Sequence, residues 1–225
     1  MLKLGLALSL STIKHMGAGW EPSDEARLNA WYKYNTGITL NGSDVSSWAD
    51  QSSNGFDMNQ ATATEQPAFV SGYLNFNSGD TNNLQTSGQI SLTGEFTIGI
   101  KFYPDAFNNT VIADNTTSNE FFKLTNSSRL AVKIDGSTKN MDLDSGDFAD
   151  SYIVLTRNAA NLMTLYHNGV AQSATQTLGG TSDIDAIGVR KTDVNPYSGR
   201  IYEIQIFALS SADLTANVNN YLSSI

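Results

Sequence analysis

Hydrophobic and polar residues alternate with a period of two along much of this chain, the spacing of half-buried strands. In "FTIGIKF", Phe96, Ile98, Ile100 and Phe102 share one face, and Thr97, Gly99 and Lys101 the other. "LAVKI" repeats the pattern with Leu130, Val132 and Ile134. In "IYEIQIF", Tyr202, Ile204 and Ile206 stand against Ile201, Glu203, Gln205 and Phe207, so both faces are expected to be at least partly covered. The continuous apolar run Tyr152 to Thr156 predicts a central strand packed on both sides. Asn168-Gly169, between two strand-like flanks, predicts a hairpin with a type I′ turn.

Only two stretches break this period. Pro22, Ser23, Asp24 and Glu25 predict a short helix with Ser23 as N-cap, and Leu28 and Trp31 would face the body. Near the end, Leu214, Val218, Tyr221 and Leu222 follow helical spacing, behind a capping box of Ser210 and Asp213. Many strands, one short terminal helix and no internal repeat predict an all-β, antiparallel two-sheet sandwich forming a single domain over residues 20–225.

Residues 1–19 differ from this body. Leu2, Leu4, Leu6, Leu8 and Leu10 fall on every second position. A secretion signal is one reading, with Lys3 leading and Gly17-Ala18-Gly19 as a cleavage site. Strict alternation instead suits an extended strand with one row of side chains in a groove. Burying five leucines and ordering the backbone nearly cancel, so such an arm needs ladder hydrogen bonds from a sheet edge to become ordered. It is therefore expected to be an extended N-terminal assembly arm.

Composition narrows the chemistry. The 225 residues include 22 Asn, 25 Ser, 21 Thr and 18 Gly, which suits a sheet protein with many turns. Net charge is −9, and the 13 basic residues form no run, so no nucleic-acid partner is expected. No apolar stretch reaches the roughly 18 residues of a membrane span. Cysteine is absent, which removes disulfides and thiol chemistry. The two histidines, His15 and His167, cannot build a His-cluster metal site. Asn-x-Ser/Thr sequons begin at Asn41, Asn108, Asn115 and Asn126, no more than this composition produces by chance.

The remaining candidates are few. "MDLDSGDFAD" could turn oxygens of Asp142, Asp144 and Asp147 toward Ca²⁺, although it lacks the EF-hand spacing, and Asp114 is a second, weaker candidate for a loop ligand. No other cofactor is expected. Tyr73, Tyr103, Phe107 and Tyr197 lie near expected loops and could form an aromatic platform for carbohydrate. Glu203 has no acidic partner two residues away, and His167 has no nucleophile signature beside it, so no enzymatic activity is expected.

The order of several motifs resembles the concanavalin A-like, laminin-G-type jelly rolls found in bacterial and phage proteins. Those motifs are an aromatic strand before Trp48-x-Asp50, the turn Ser52-Ser53-Asn54-Gly55 and Pro67. "YLNFNSGDTNNL", "FTIGIKFYP", "LMTLYHNGV" and "YSGRIYEIQIFALSSADL" follow, and the resemblance spans roughly residues 26–222. It implies a jelly-roll sandwich whose members bind sugars, bind calcium or assemble. The opening "MLKLGL" joined to such a body resembles structural proteins of marine, cyanophage-like tailed bacteriophages. That resemblance implies a virion protein, a capsid decoration or tail component, assembling through its arm with copies of itself or with a capsid or tail protein. The alternative is a secreted or tail-tip carbohydrate-binding module whose partner is a glycan, with Ca²⁺ dependence an open point.

Overall fold

A computed structural model describes residues 19–117, 121–189 and 194–225. The expected arm residues Leu2, Leu4, Leu6, Leu8 and Leu10 lie outside the described residues. The described chain is an antiparallel β-sandwich with one α-helix, Ala212–Ser223.

One layer is centred on Phe96–Pro104, which pairs on one side with Gly199–Phe207 and on the other with Ser151–Arg157. Leu28–Tyr32 extends the layer beyond Gly199–Phe207, and Leu162–His167 extends it beyond Ser151–Arg157. The second layer runs Leu84–Leu92, Ser182–Ile187, Asn109–Ala113, Phe121–Asn126, Arg129–Ile134 and Ser137–Asp142. Short strands between Ile38 and Phe76 link the layers, and Tyr73–Phe76 pairs with the start of Gly199–Phe207.

The period-two residues explain the core. Phe96, Ile98, Ile100 and Phe102 face Leu130, Val132, Ile134 and their neighbours in one buried cluster. The run Tyr152–Thr156 is central and nearly all buried, as its composition predicts. The Asn168-Gly169 hairpin forms, with φ of 47° and 82° at the turn.

Gly199–Phe207 departs from simple alternation. Its ladder with Phe96–Pro104 jumps from Ile201↔Phe102 to Glu203↔Lys101, so Tyr202 is an extra residue in a β-bulge. Ile201, Ile204 and Ile206 all enter the core, whereas Tyr202 does not. The expected grouping of Tyr202 with Ile204 and Ile206 is therefore corrected: the bulge flips the phase, leaving Tyr202 and Glu203 both off the core face. On the outer face, opposite the core, Phe207 and Val154 meet Leu214, Val218 and Leu222 of the helix. The helix sits close because Gly99 lies beneath it; a Cβ there would come within 2.6 Å of Val218.

Two local expectations also change. Pro22–Asp24 is a single 3₁₀ turn capped by Glu21 rather than Ser23, and Leu28 and Trp31 lie on the following strand. The terminal helix is capped by Ser211, whose hydroxyl accepts from the Leu214 amide at 3.1 Å, rather than by Ser210. In both cases a neighbouring residue takes the extended backbone that a cap needs.

Two buried polar groups hold the frame. The Asp50 carboxylate accepts from the amides of Trp31 (2.9 Å), Ser52 (2.8 Å) and Phe56 (3.1 Å). Trp48 donates to the carbonyls of Lys33 and Thr36, both at 3.2 Å. The Trp-x-Asp string thus ties the first strand to the turn after it. Arg157 is fully buried and donates to the main-chain oxygens of Leu92 (2.9 Å), Gly94 (2.7 Å) and Gly180 (2.9 Å), with its guanidinium 4.7 Å from the Phe96 ring centroid. Replacing Arg157 with Ala would remove this donor from all three oxygens, the Leu92 oxygen being the buried one, and the expected loss of unfolding free energy is about 2–3 kcal/mol. Urea denaturation measures it; a loss below about 1 kcal/mol would mean that these bonds do not hold the two loops.

Candidate functional site

The bulge gathers four tyrosines and two cations on the outer face of the first layer. Arg200 stands opposite Tyr103 on one neighbouring strand and opposite Asn75 on the other. Its guanidinium carbon lies 5.2 Å from the Tyr73 ring centroid and 4.8 Å from that of Tyr103. Tyr73 and Tyr202 have centroids 5.4 Å apart at 53°, and Tyr34 lies 6.4 Å from Tyr202 at 30°. Lys101 stands 5.9 Å from the Tyr202 centroid. All six side chains are half-buried, so rings and donors are held firmly while still meeting solvent.

Backbone constraints set these distances. Gly199, at φ +139°, lets its strand approach the Tyr103 carbonyl; a Cβ there would lie 2.8 Å from Pro104 Cα and 2.9 Å from the Asp105 nitrogen. A side chain at 199 would push apart the strands that bring Arg200 onto Tyr103. Tyr34 is fixed from below: its amide donates to Glu203 Oε2 at 2.9 Å. Glu203 Oε1 also accepts from Trp31 Nε1 and Gln205 Nε2, each at 2.7 Å. Burial raises the Glu203 pKa, and these three donors oppose that shift.

The two cations of the face differ in freedom. Lys101 donates to the Leu222 carbonyl at 3.5 Å and to the Ile225 backbone oxygen, so it tethers the end of the helix. Arg200 is half-buried, and a hydrogen bond to Tyr202 raises its pKa, with Tyr73 and Asp105 adding to the effect. Each ring–guanidinium contact at such a surface contributes about 0.5–1 kcal/mol. Beside this cluster, Asn75 joins Asp44, Gln66, Asn77, Asp80 and Asn82 in lining an open groove of about 410 Å³. The amides of Gln66, Asn77 and Asn82 are paired within the protein, so the rings, the guanidinium and Asn75 are the groups placed to stack on a flat apolar surface and hydrogen-bond to hydroxyls around its rim.

Of the residues expected to form an aromatic platform, Tyr73 and Tyr103 meet through Arg200. Tyr197 is corrected: it is fully buried, packs edge-on against Phe76 at 5.9 Å and donates to the Arg200 carbonyl at 3.3 Å. Phe107 stands 37% exposed in the loop after Pro104, and among the described residues no ring contact joins it to the cluster. Sequence reading missed Tyr34, Lys101, Arg200 and Tyr202. The shared parity of Lys101 with Tyr103 was visible, but the placement of Tyr202 needed the bulge.

The expected calcium ligands do not converge. Asp142 pairs with Arg129 through two contacts of 2.6 and 3.1 Å. Asp144 accepts from the Ser173 amide and hydroxyl at 2.8 and 2.5 Å, which lowers its pKa. Asp147 accepts from the Ala149 amide at 3.1 Å. Each carboxylate is spent on a different neighbour, and no group of three His, Cys, Asp or Glu able to hold a metal occurs among the described residues. Asp114 is buried and accepts from Gln89 at 3.1 Å and from the Thr116 amide at 2.8 Å.

His167 lies 2.8 Å from the Ser151 hydroxyl, a pairing absent from the sequence-based expectation. Ser151 is 1% exposed and its hydroxyl also sits 3.0 Å from the Ala149 carbonyl, so this oxygen is closed to solvent. Burial lowers the His167 pKa, opposed by Asp147.

No family model matches this sequence, and no curated protein matches it. Similarity appears among solved structures. Domain 4 of AbnA, a GH43 extracellular arabinanase from Geobacillus stearothermophilus solved in complex with arabinotriose, aligns with 86% of this chain and 98% of its own at 14% identity and a TM-score of 0.52. The binding domain of Paraclostridial Mosquitocidal Protein 1 aligns with 91% of this chain at 14% identity and a TM-score of 0.59. The botulinum neurotoxin serotype G binding domain aligns with 88% at 16% identity and a TM-score of 0.59. This chain spans about half of each toxin domain, 53% and 51% respectively. These similarities define a fold class: an antiparallel β-sandwich of the kind seen in binding domains.

The His167 environment gives a stability prediction. The unfolded chain takes up a proton near pH 6.5 that the folded imidazole resists, so this contribution is complete above about pH 6.5 and declines as pH falls toward the folded pKa. Urea midpoints at about pH 7.5 and about pH 5.5 should therefore differ more in the native protein than in His167→Gln. Equal differences would contradict a half-buried imidazole that resists protonation.

Proposed function

We propose that this protein is a carbohydrate-binding module that performs no chemistry of its own and takes its ligand on the Tyr34–Tyr73–Tyr103–Arg200–Tyr202 face. The single observation that carries this reading is the Arg200 guanidinium in contact with both the Tyr73 and Tyr103 rings, with Tyr202 alongside. Rings stack on the apolar face of a pyranose or furanose, while the guanidinium and the adjoining Asn75 groove select hydroxyl positions. The arabinotriose complex of AbnA domain 4, which shares the fold over nearly its whole length, supports looking for a sugar on this sandwich.

The reading predicts binding in a glycan array followed by titration calorimetry. Truncating Tyr73 or Tyr103 to Ala should weaken the bound glycan by about tenfold or more, the usual cost of removing an aromatic anchor. Lys139→Gln, on an exposed strand of the other layer, should leave affinity unchanged. Unchanged affinity in both tyrosine variants would reject this face.

A second reading concerns attachment, and the leucine alternation of residues 2–10 favours it. In this reading the module is anchored in a larger assembly, such as a virion, by adding its N-terminal segment as a strand to a neighbouring sheet. The described chain begins at Gly19 and Trp20, with Trp20 packed on Phe207 and Tyr221 beside the terminal helix. Deleting residues 2–11 should leave a folded sandwich that no longer joins its assembly. Normal incorporation of the deleted chain would rule the arm out.

A further inference from the structure

The freedom of Arg200 suggests which class of sugar this face takes. Resting on the carbohydrate-binding reading above, we infer that the ligand is an anionic glycan, with its acid group on Arg200 and its uncharged residues along the Asn75 groove.

Charge placement carries the argument. The chain has a net charge of −9, yet this face presents Arg200 and Lys101 together. Lys101 is committed to the main-chain oxygens of Leu222 and Ile225, whereas Arg200 gives one hydrogen bond to Tyr202 and, with five N–H donors, keeps others to meet a ligand. Arg200 forms no salt bridge among the described residues. Tyr73 and Tyr103 lie over the guanidinium, and a planar guanidinium stacked on rings keeps its N–H donors at its edges. That fork matches a carboxylate or sulfate with two parallel hydrogen bonds, whereas a neutral hydroxyl uses only one donor. The adjoining groove has the opposite character, since Asp44 and Asp80 line it beside Gln66 and three asparagines. A second acid group there would be repelled, so the ligand is oriented with its charge toward Arg200.

Titration calorimetry with an oligosaccharide that carries one terminal uronic acid on neutral residues (glucuronosyl-xylotriose), its methyl ester and a terminally monosulfated lactose tests the inference, because the ester removes the charge and adds only a methyl group. The acid should bind at least about tenfold tighter than the ester, and raising NaCl from about 50 to about 500 mM should narrow that gap. Arg200→Gln should abolish the preference, and Arg200→Lys should restore only part of it, since lysine keeps the charge without the fork. Comparable binding of the monosulfated lactose would extend the site to sulfated sugars, and its failure would confine the site to carboxylates; both agree with an anionic ligand. Equal affinity for acid and ester, or binding of neutral oligosaccharides alone, would overturn the inference while leaving the carbohydrate reading intact. Failure of every charged and neutral sugar to bind would overturn both.

Discussion

The arrangement depends on one irregularity, the bulge at Tyr202 between Ile201 and Glu203. Without it, strict alternation would send Ile201, Glu203 and Gln205 to one side and Tyr202, Ile204 and Ile206 to the other. With it, Ile201, Ile204 and Ile206 all fill the core, while Arg200, Tyr202 and Glu203 reach the opposite face. A single extra residue thus serves two demands. It keeps isoleucine in the sandwich interior along the whole strand, and it builds an aromatic surface where a regular strand would break the row.

The surface is supported from beneath by a carboxylate that water does not reach. Glu203 holds Trp31, Tyr34 and Gln205 through three charge-assisted bonds, so the first strand and the last are fastened immediately behind the tyrosines. The terminal helix covers the other end of the same outer face, seated over Gly99, and Lys101 links its end to the edge of the aromatic cluster. Fold and site are therefore not independent layers of design. The pairing that closes the sandwich also brings Arg200 to Tyr103 and Asn75, and the bulge in that pairing brings Tyr202 beside them.

Much of the fold was legible because it rests on local spacing. Alternating Phe96 to Phe102, the apolar run after Tyr152, Asn168-Gly169 and the helical leucines near the end each declare their element within a few residues. The site was legible only in part. Tyr73 and Tyr103 stood out as aromatics near turns, but Tyr197 looked the same in sequence and proved to be core. Arg200 and Tyr202 were hidden because a bulge leaves no mark on the alternation itself; it shows only once the register with Lys101 and Phe102 is known. The acidic loop misled for a related reason. Asp142, Asp144 and Asp147 are near in sequence, yet Arg129 and Ser173 draw two of them to partners on other segments.

The central claim is that the bulged strand creates one binding face, and resonance mapping in solution tests it most directly. With tyrosine rings and arginine side chains labelled, titration of a bound oligosaccharide should move the signals of Tyr73, Tyr103, Tyr202 and Arg200 together, with the buried Tyr197 ring and the distant Arg129 left in place. Shifts centred on another surface, with those four signals unmoved, would contradict the account.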